Sequence, residues 1–284
     1  MSKKAAVVMQ TDFGTDNISV CTMYGVCRIV SDELDVFDAT YAIPKFDVLA
    51  ASDALIYAIP FWPTGTVFVS VVDPGVGSER RSCVAKLSNG SYVVTPDNGT
   101  LTYVKEQIGI EEVRIIDESI NRYPETRHIH IFHGRDVYAY CAARLAAGVI
   151  TFEEVGSAYP VEDIVMASYV KPAVKDNVLS GMINEATNHF GLVGTNIPFT
   201  YLADNGIHYG DRVKVKIKHL DQVILDEELA HEPSFSFVPV GDKVLLSSET
   251  ATAMLAINQG NLVTDYQLGY GPEWLVEISK SESE

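Results

Sequence analysis

The chain contains the stretch Val71-Val72-Asp73-Pro74-Gly75-Val76-Gly77-Ser78-Glu79-Arg80-Arg81 at the end of an apolar run over residues 66–72. A continuous apolar run of this kind is typical of a strand that is buried on both faces of a sheet. Pro74 and the two glycines then predict a turn whose backbone can approach a ligand closely. Because open α/β sheets bind ligands beyond the carboxyl ends of their strands, Asp73 marks a candidate functional site. The alternative is structural: Asp73 caps the turn and Arg80 pairs with surface carboxylates.

Strand and helix patterns alternate through the N-terminal part of the chain. Apolar runs predict strands at residues 4–10, 34–38, 66–72, 82–86, 92–95 and 113–116, and apolar residues at helical spacing predict helices at residues 17–30, 47–61 and 135–148. This alternation predicts a mostly parallel α/β sandwich domain in which helices cover both faces of the sheet.

The pattern changes after Lys171 and Pro172, where short strands are separated by turn signals and helical periodicity is almost absent. Strands are predicted at residues 177–183, 211–217, 222–226, 243–246 and 274–278. Such a pattern predicts a smaller antiparallel β domain, barrel-like in architecture. We therefore expect an N-terminal α/β domain at residues 1–168 and a C-terminal β-barrel domain at residues 169–284. The polar residues 279–284 are predicted to be a disordered tail.

Composition and net charge indicate which kinds of binding partner and which cellular compartment suit this chain. The chain has 284 residues, of which 47% are apolar, and a formal net charge of −17. This charge leaves no basic surplus to neutralise phosphates, so we expect no nucleic-acid partner, and a cationic small molecule suits the charge better. No apolar run reaches membrane-spanning length, and the first residues lead into a predicted strand rather than a signal peptide, so we expect a cytoplasmic protein without a membrane partner.

The spacing of cysteines and histidines bears on metal binding. The four cysteines show neither a CxxC pair nor metal-ligand spacing, which predicts reduced thiols. His128, His130 and His133 form an HxHxxH pattern that suits zinc and leaves a metal-dependent hydrolase as one hypothesis. A strand here would place His128 and His130 on one face and His133, as its last residue, on the other. The other interpretation has two solvent-facing histidines and a third that caps the following helix.

Five short motifs occur in order along the chain. They are Thr11-Asp12-Phe13-Gly14, Val72-Asp73-Pro74-Gly75-Val76-Gly77, Pro96-Asp97-Asn98-Gly99, His133-Gly134-Arg135-Asp136 and Thr195-Asn196-Ile197. With these motifs the chain resembles, over nearly its whole length, the S-adenosyl-L-methionine (SAM) hydroxide adenosyltransferases, the SAM hydrolases of the fluorinase and chlorinase superfamily. The resemblance implies an N-terminal α/β domain, a C-terminal β-barrel domain and a homotrimer with active sites between neighbouring subunits. It also implies hydrolysis of SAM to adenosine and L-methionine, with SAM as substrate and no cofactor or metal.

The resemblance implies a catalytic set of one carboxylate, one guanidinium and one imidazole. These groups fall on Asp73, Arg80 and His133, where the halogenases of the superfamily carry other residues, so we expect water rather than a halide as nucleophile. Arg80 favours the deprotonated form of a bound water, and Asp73 and His133 can accept its proton. Two alternatives stay open: a metal-dependent hydrolase that uses His128, His130 and His133, and a non-catalytic adenosine- or SAM-binding protein.

The resemblance also implies substrate-binding residues in both predicted domains. Asp12 matches the aspartate that binds the ribose, and Phe46 matches the aromatic side chain beside the ribose. Phe235 matches the ring that stacks on adenine, and Ser248 matches a serine near the methionine carboxylate. All four are therefore expected to contact SAM.

One segment departs from the family pattern. The chain reads Asn188-His189-Phe190-Gly191-Leu192 where the family usually reads Asp-x-Phe-Gly-Asn. Asn188 and Phe190 are still expected to bind substrate. However, Asn188 offers the substrate's ammonium an acceptor without the negative charge of the usual aspartate. Leu192 cannot form the hydrogen bond with the adenine edge that the usual asparagine forms.

Overall fold

The computed structural model describes residues 5–281. The chain divides into two compact units, with the division between Ala167 and Ser168.

The first unit is built on a seven-stranded sheet with the order β2-β1-β3-β5-β4-β6-β7. Its strands are β1 (Val7–Thr11), β2 (Val36–Thr40), β3 (Val67–Val71), β4 (Ser82–Leu87), β5 (Tyr92–Pro96), β6 (Ile110–Ile115) and β7 (Ala158–Tyr159). Parallel pairing joins β2, β1, β3 and β5, whereas β4, β6 and β7 are antiparallel to their neighbours. The predicted fold class, a parallel-rich α/β sandwich followed by a β-barrel, is confirmed.

Helices cover the two faces of this sheet. They are α1 (Ser19–Val30), α2 (Val48–Ala58), α3 (Glu118–Asn121) and α4 (Tyr140–Ala146), with π-helical turns at Val104–Ile108 and Gly134–Ala139 and 3-10 turns at Ile59–Phe61, Pro124–Thr126, Glu153–Val155 and Val161–Asp163. Successive residues of β1 point to opposite faces: Val7 and Met9 pack in the core beneath α1 and α4, and Val8 packs with Leu55 of α2. Burial on both faces explains why β1 and β3 are predominantly apolar.

Two of the predicted helices differ in detail from those observed. The helix predicted at residues 47–61 is α-helical only as far as Ala58, and its last residues, Ile59–Phe61, form a 3-10 turn. The carboxylate of Asp47 caps α2 by accepting a hydrogen bond from the backbone N–H of Ala50. The predicted helix at residues 135–148 forms, but its first turns, Gly134–Ala139, are π-helical. This wider turn follows His133 directly, so the residues after that histidine do not keep α-helical spacing.

The second unit is a closed barrel. Its strands are β8 (Ala173–Lys175), β9 (Val178–Thr187), β10 (Leu192–Pro198), β11 (Arg212–His219), β12 (Gln222–His231), β13 (Lys243–Ser247), β14 (Thr252–Ile257) and β15 (Trp274–Lys280), with short helices α5 (Thr200–Asp204) and α6 (Leu262–Tyr266). The order β10-β14-β13-β12-β11-β15-β9 is closed by pairing of β9 with β10, and β8 pairs with β9 outside this ring. Closure leaves the ring without an edge strand.

The barrel departs from the sequence-based expectation at two points. β12 and β13 pair in parallel, although every other pairing in the barrel is antiparallel. Ser279 and Lys280 belong to β15 because they pair with β11, and the backbone N–H of Ser281 donates to the carbonyl of Arg212 at 3.0 Å. The prediction of a disordered tail is therefore wrong for these three residues, and residues 282–284 lie outside the described part of the chain.

Between residues 5 and 281, no helix combines the length and the apolar character needed to cross a lipid bilayer.

Candidate active site

Asp73 follows β3 and forms a two-pronged ion pair with Arg80. Oδ1 of Asp73 accepts from Nε of Arg80 at 2.7 Å, and Oδ2 accepts from Nη2 at 2.5 Å. The two side chains are only 6% and 10% exposed. The turn between them requires glycine at position 77, where φ is +80° and an added Cβ would lie 3.1 Å from the backbone oxygen of His130. The turn thus places the guanidinium of Arg80 against the carboxylate of Asp73, just after the end of β3.

His133 lies on the other side of the same guanidinium. Nη2 of Arg80 is 3.0 Å from Nδ1 of His133. A guanidinium has no acceptor, so Nδ1 must accept this hydrogen bond and the proton of a neutral ring must sit on Nε2. Burial lowers the pKa of His133, and the positive charge of Arg80 acts in the same direction. Arg80 therefore contacts both other members of the catalytic set that the resemblance implies, Asp73 and His133.

A cavity of about 310 Å³ opens beside this cluster. Asp73 and His133 both contribute to its wall. The remaining lining residues come from the end of β3, from the segments that follow β1 and β3, and from the segments around Lys45 and Phe132. The full lining is Asp12, Phe13, Asn17, Lys45, Phe46, Val71, Asp73, Val76, Ile131, Phe132, His133 and Gly134. Pockets of 300 Å³ and above are of the size that binds small molecules.

Asp12 and Phe46, the predicted ribose-binding pair, meet at this cavity. Oδ2 of Asp12 accepts a hydrogen bond from the backbone N–H of Phe46 at 2.9 Å. Phe46 has a φ of +67°, a left-handed conformation that is costly for a bulky residue, and the residue is 67% exposed. The backbone at this position is therefore held out of its preferred conformation while the ring stands at the cavity wall.

Four predicted substrate-binding residues belong to the second unit. Asn188 and Phe190 lie in the turn between β9 and β10, where Phe190 is 69% exposed. Phe235 is half-buried and packs against the apolar cluster that also contacts Leu192. The hydroxyl of Ser248 accepts a hydrogen bond from the backbone N–H of Thr252 at 3.0 Å.

The histidine pattern does not form the predicted strand. Residues 128–132 contain no strand, and His128 and His130 are exposed. The backbone of Ile129 forms hydrogen bonds with nearby residues instead of with a strand: its N–H donates to Thr126, and its carbonyl accepts from the guanidinium of Arg122.

Across the described residues, no group of three or more His, Cys, Asp or Glu side chains is arranged to hold a metal ion. The expectation that His133 ends a strand is wrong, because residues 128–132 contain no strand, whereas the expectation that it precedes a helix is confirmed by the π-helical turn at Gly134–Ala139.

Sequence reasoning missed several residues of this site. Lys45 and Phe132 line the cavity, and Ser82 and Tyr138 contact the Asp73–Arg80 pair. Lys45 was detectable as the neighbour of Phe46. Tyr138 was not detectable, because it lies five residues after His133. Residues five apart lie on the same face of a π-helical turn but not of an α-helix.

Comparison with known proteins places the chain in a family. The model of the SAM hydroxide adenosyltransferase N-terminal domain matches residues 7–156, and that of the C-terminal domain matches residues 186–275. An (R)-S-adenosyl-L-methionine hydrolase from Methanocaldococcus jannaschii is 32% identical over 218 residues, which cover 75% of this chain and 73% of the relative. A fluorinase from Actinoplanes sp. is 28% identical, and the match covers 93% of this chain and 95% of the fluorinase.

A solved structure shares the whole fold. An uncharacterised conserved protein from Thermotoga maritima superposes with a TM-score of 0.88 at 29% identity, covering 96% of this chain and 99% of that protein. The family models match within both units of the structure, and the first of them alone spans more than half of the chain. The chain therefore belongs to the SAM hydroxide adenosyltransferase family.

Proposed function

We propose that the protein hydrolyses SAM to adenosine and L-methionine by in-line attack of water or hydroxide on C5′ of the ribose. The observation that carries this proposal is that Arg80 contacts both Asp73 and His133 beside a cavity of small-molecule size. Family membership and the names of the relatives support the same chemistry. The net charge of −17 suits a cationic substrate.

The chemistry requires activation of the nucleophile rather than of the leaving group. The C5′–O bond forms as the C5′–S bond breaks, and the electron pair returns to sulfur to give a neutral thioether. No general acid is needed for that departure. The water loses one proton, and a carboxylate is the group best suited to receive it.

We assign the base to Asp73. Each of its oxygens can accept two hydrogen bonds, and Oδ1 is bonded to Nε of Arg80. His133 has its Nδ1 against Arg80, so its Nε2–H acts as the donor that orients the water. Arg80 supplies the positive charge that favours hydroxide over water in the site. The proton-accepting role expected of His133 thus passes to Asp73 alone.

Substrate binding is proposed for six further residues. Asp12 binds the ribose hydroxyls, Phe46 covers the ribose, and Phe235 and Phe190 contact adenine. Asn188 and Ser248 bind the amino and carboxyl groups of the methionine part. We propose that SAM needs no cofactor or metal for this reaction.

A homotrimer with intersubunit active sites is the proposed assembly. Several apolar side chains at the cavity are solvent-exposed, namely Phe46, Val76 and Ile131. Exposed apolar groups around a cavity are typical of a surface that another chain covers.

The proposed compartment is the cytoplasm. The cysteines Cys21, Cys27, Cys83 and Cys141 are free thiols, which supports this compartment.

The test is chromatography of SAM incubated with the protein, looking for adenosine and L-methionine. Both sulfonium epimers should be offered separately, because the relatives from M. jannaschii and Thermus thermophilus are named for the (R) epimer. Reaction in H₂¹⁸O should place the label in the 5′-hydroxyl of adenosine. Binding by calorimetry without any product would instead support the non-catalytic alternative and overturn the proposal.

A further inference from the structure

Two buried hydroxyl groups join the Asp73–Arg80 pair into a closed ring. Nη1 of Arg80 donates to Oγ of Ser82 at 2.9 Å, and Oγ of Ser82 lies 3.2 Å from Oη of Tyr138. Oη of Tyr138 donates to Oδ2 of Asp73 at 3.3 Å, the oxygen that also accepts from Nη2 of Arg80. Four side chains therefore form a continuous cycle of hydrogen bonds.

The direction of every bond in this ring follows from donor and acceptor chemistry. A guanidinium only donates and a carboxylate only accepts, so the ring must run from Arg80 to Asp73. Tyr138 has one proton, and it points to Asp73; Tyr138 must therefore accept from Ser82, which in turn accepts from Arg80. Burial, followed by the charge of Asp73, raises the pKa of Tyr138, so its hydroxyl keeps its proton.

The ring is shielded from solvent. Tyr138 is fully buried and Ser82 nearly so. The guanidinium carbon of Arg80 also lies 5.7 Å from the centre of the Tyr138 ring, within the range of a cation–π contact. In such surroundings a hydrogen bond to a charged group is stronger than in water.

We propose that Ser82 and Tyr138 are positioning residues that hold the carboxylate of Asp73 in its reactive orientation. This inference rests on the proposed function, in which Asp73 is the base. Neither hydroxyl lines the cavity, so both act through Asp73 and Arg80 rather than on the substrate. Losing a buried hydrogen bond to a carboxylate removes one of the contacts that fix the orientation of that carboxylate.

The test replaces Tyr138 with phenylalanine, which removes one oxygen and keeps the ring. The matched control is Tyr140→Phe on the same helical segment, whose hydroxyl accepts from Arg144 and lies outside the ring. For Tyr138→Phe we expect kcat to fall about tenfold with KM within about twofold. For Tyr140→Phe we expect the wild-type kcat and KM. Ser82→Ala should lower kcat in the same direction, and the double variant should lose less than the product of the two single effects.

An activity-independent measurement separates this inference from the proposed function. A crystal structure of Tyr138→Phe should show the Asp73 carboxylate turned away from its wild-type orientation. If the wild type releases no adenosine, the proposed function fails whatever that crystal structure shows. If the wild type is active but Tyr138→Phe keeps its kcat or the wild-type orientation of Asp73, or if Tyr140→Phe loses as much activity, the inference is overturned.

Discussion

Nη2 of Arg80 donates to Nδ1 of His133 at 3.0 Å, and this contact determines which imidazole nitrogen carries the proton. With Nδ1 occupied, a neutral His133 presents Nε2–H as its remaining polar group. Protonation of Nδ1 would put two donors and two positive charges face to face. The contact therefore exists only with a neutral ring.

The first prediction is the acid limit of activity. Because burial lowers the pKa of His133, the neutral ring persists below the ordinary histidine pKa of about 6.5. Activity should hold from neutral pH down to about 6.5 and fall only at lower pH, as protonation displaces Arg80. The measurement is kcat against pH, with stability recorded at each point. A decline that begins well above pH 7 as the pH is lowered would contradict the assignment of a neutral His133.

The second prediction separates stability from activity at the ion pair. Asp73→Asn removes the charge that pairs with the largely buried Arg80, so we expect the free energy of unfolding to fall by about 3 kcal/mol and kcat by at least about 100-fold. The double variant Asp73→Leu with Arg80→Met replaces both charges by apolar groups. It should recover most of the lost stability while staying inactive, as measured by urea unfolding and adenosine release. A double variant less stable than Asp73→Asn would refute this account of the pair.

The third prediction concerns the backbone at Phe46. Glycine adopts φ = +67° without strain, so Phe46→Gly should leave the free energy of unfolding within about 1 kcal/mol of the wild type. Loss of the ring should raise KM for SAM by about tenfold, because the ribose loses an apolar contact. Gln267→Gly is the matched control, since Gln267 also has a positive φ but lies at the C-terminal end of α6. It should relieve strain without changing KM.

Local chemistry explains what could be predicted from the sequence. The strands that end at Asp12 and Asp73 were predictable because buried parallel strands are continuous apolar runs followed by turn residues. The start of α2 was predictable from Asp47, whose capping bond is local. These features depend on neighbours in the chain, so they can be inferred from a single sequence.

Non-local partners explain what could not be predicted. Residues 128–132 read as a strand, but Arg122 binds the carbonyl of Ile129 and takes the place of a neighbouring strand. The parallel pairing of β12 with β13 depends on how the barrel closes. Tyr138 joins the site only because the helix after His133 is π-helical, which no spacing rule for α-helices would indicate.

The fourth prediction addresses the metal-dependent alternative. His128 and His130 are exposed, and Nδ1 of His133 is bonded to Arg80, so these histidines have no common ligand geometry. Adenosine release should be unchanged by prolonged EDTA treatment and by the double variant His128→Ala with His130→Ala. The metal content of the purified protein should show no stoichiometric transition metal. Loss of activity with EDTA that zinc restores would favour the hydrolase alternative instead.

The last prediction concerns Asn188, which stands where the family usually has an aspartate. The side chain is exposed in the turn between β9 and β10, so Asn188→Asp adds a negative charge without burying it. That charge should attract the ammonium of the methionine part and lower KM for SAM by up to about fivefold, the range of an exposed ion pair, with kcat unchanged. Adenosine has no ammonium group, so its binding constant should be the same for both proteins by calorimetry. A change in adenosine affinity equal to that for SAM would show that position 188 acts on the base or on the turn, and not on the ammonium.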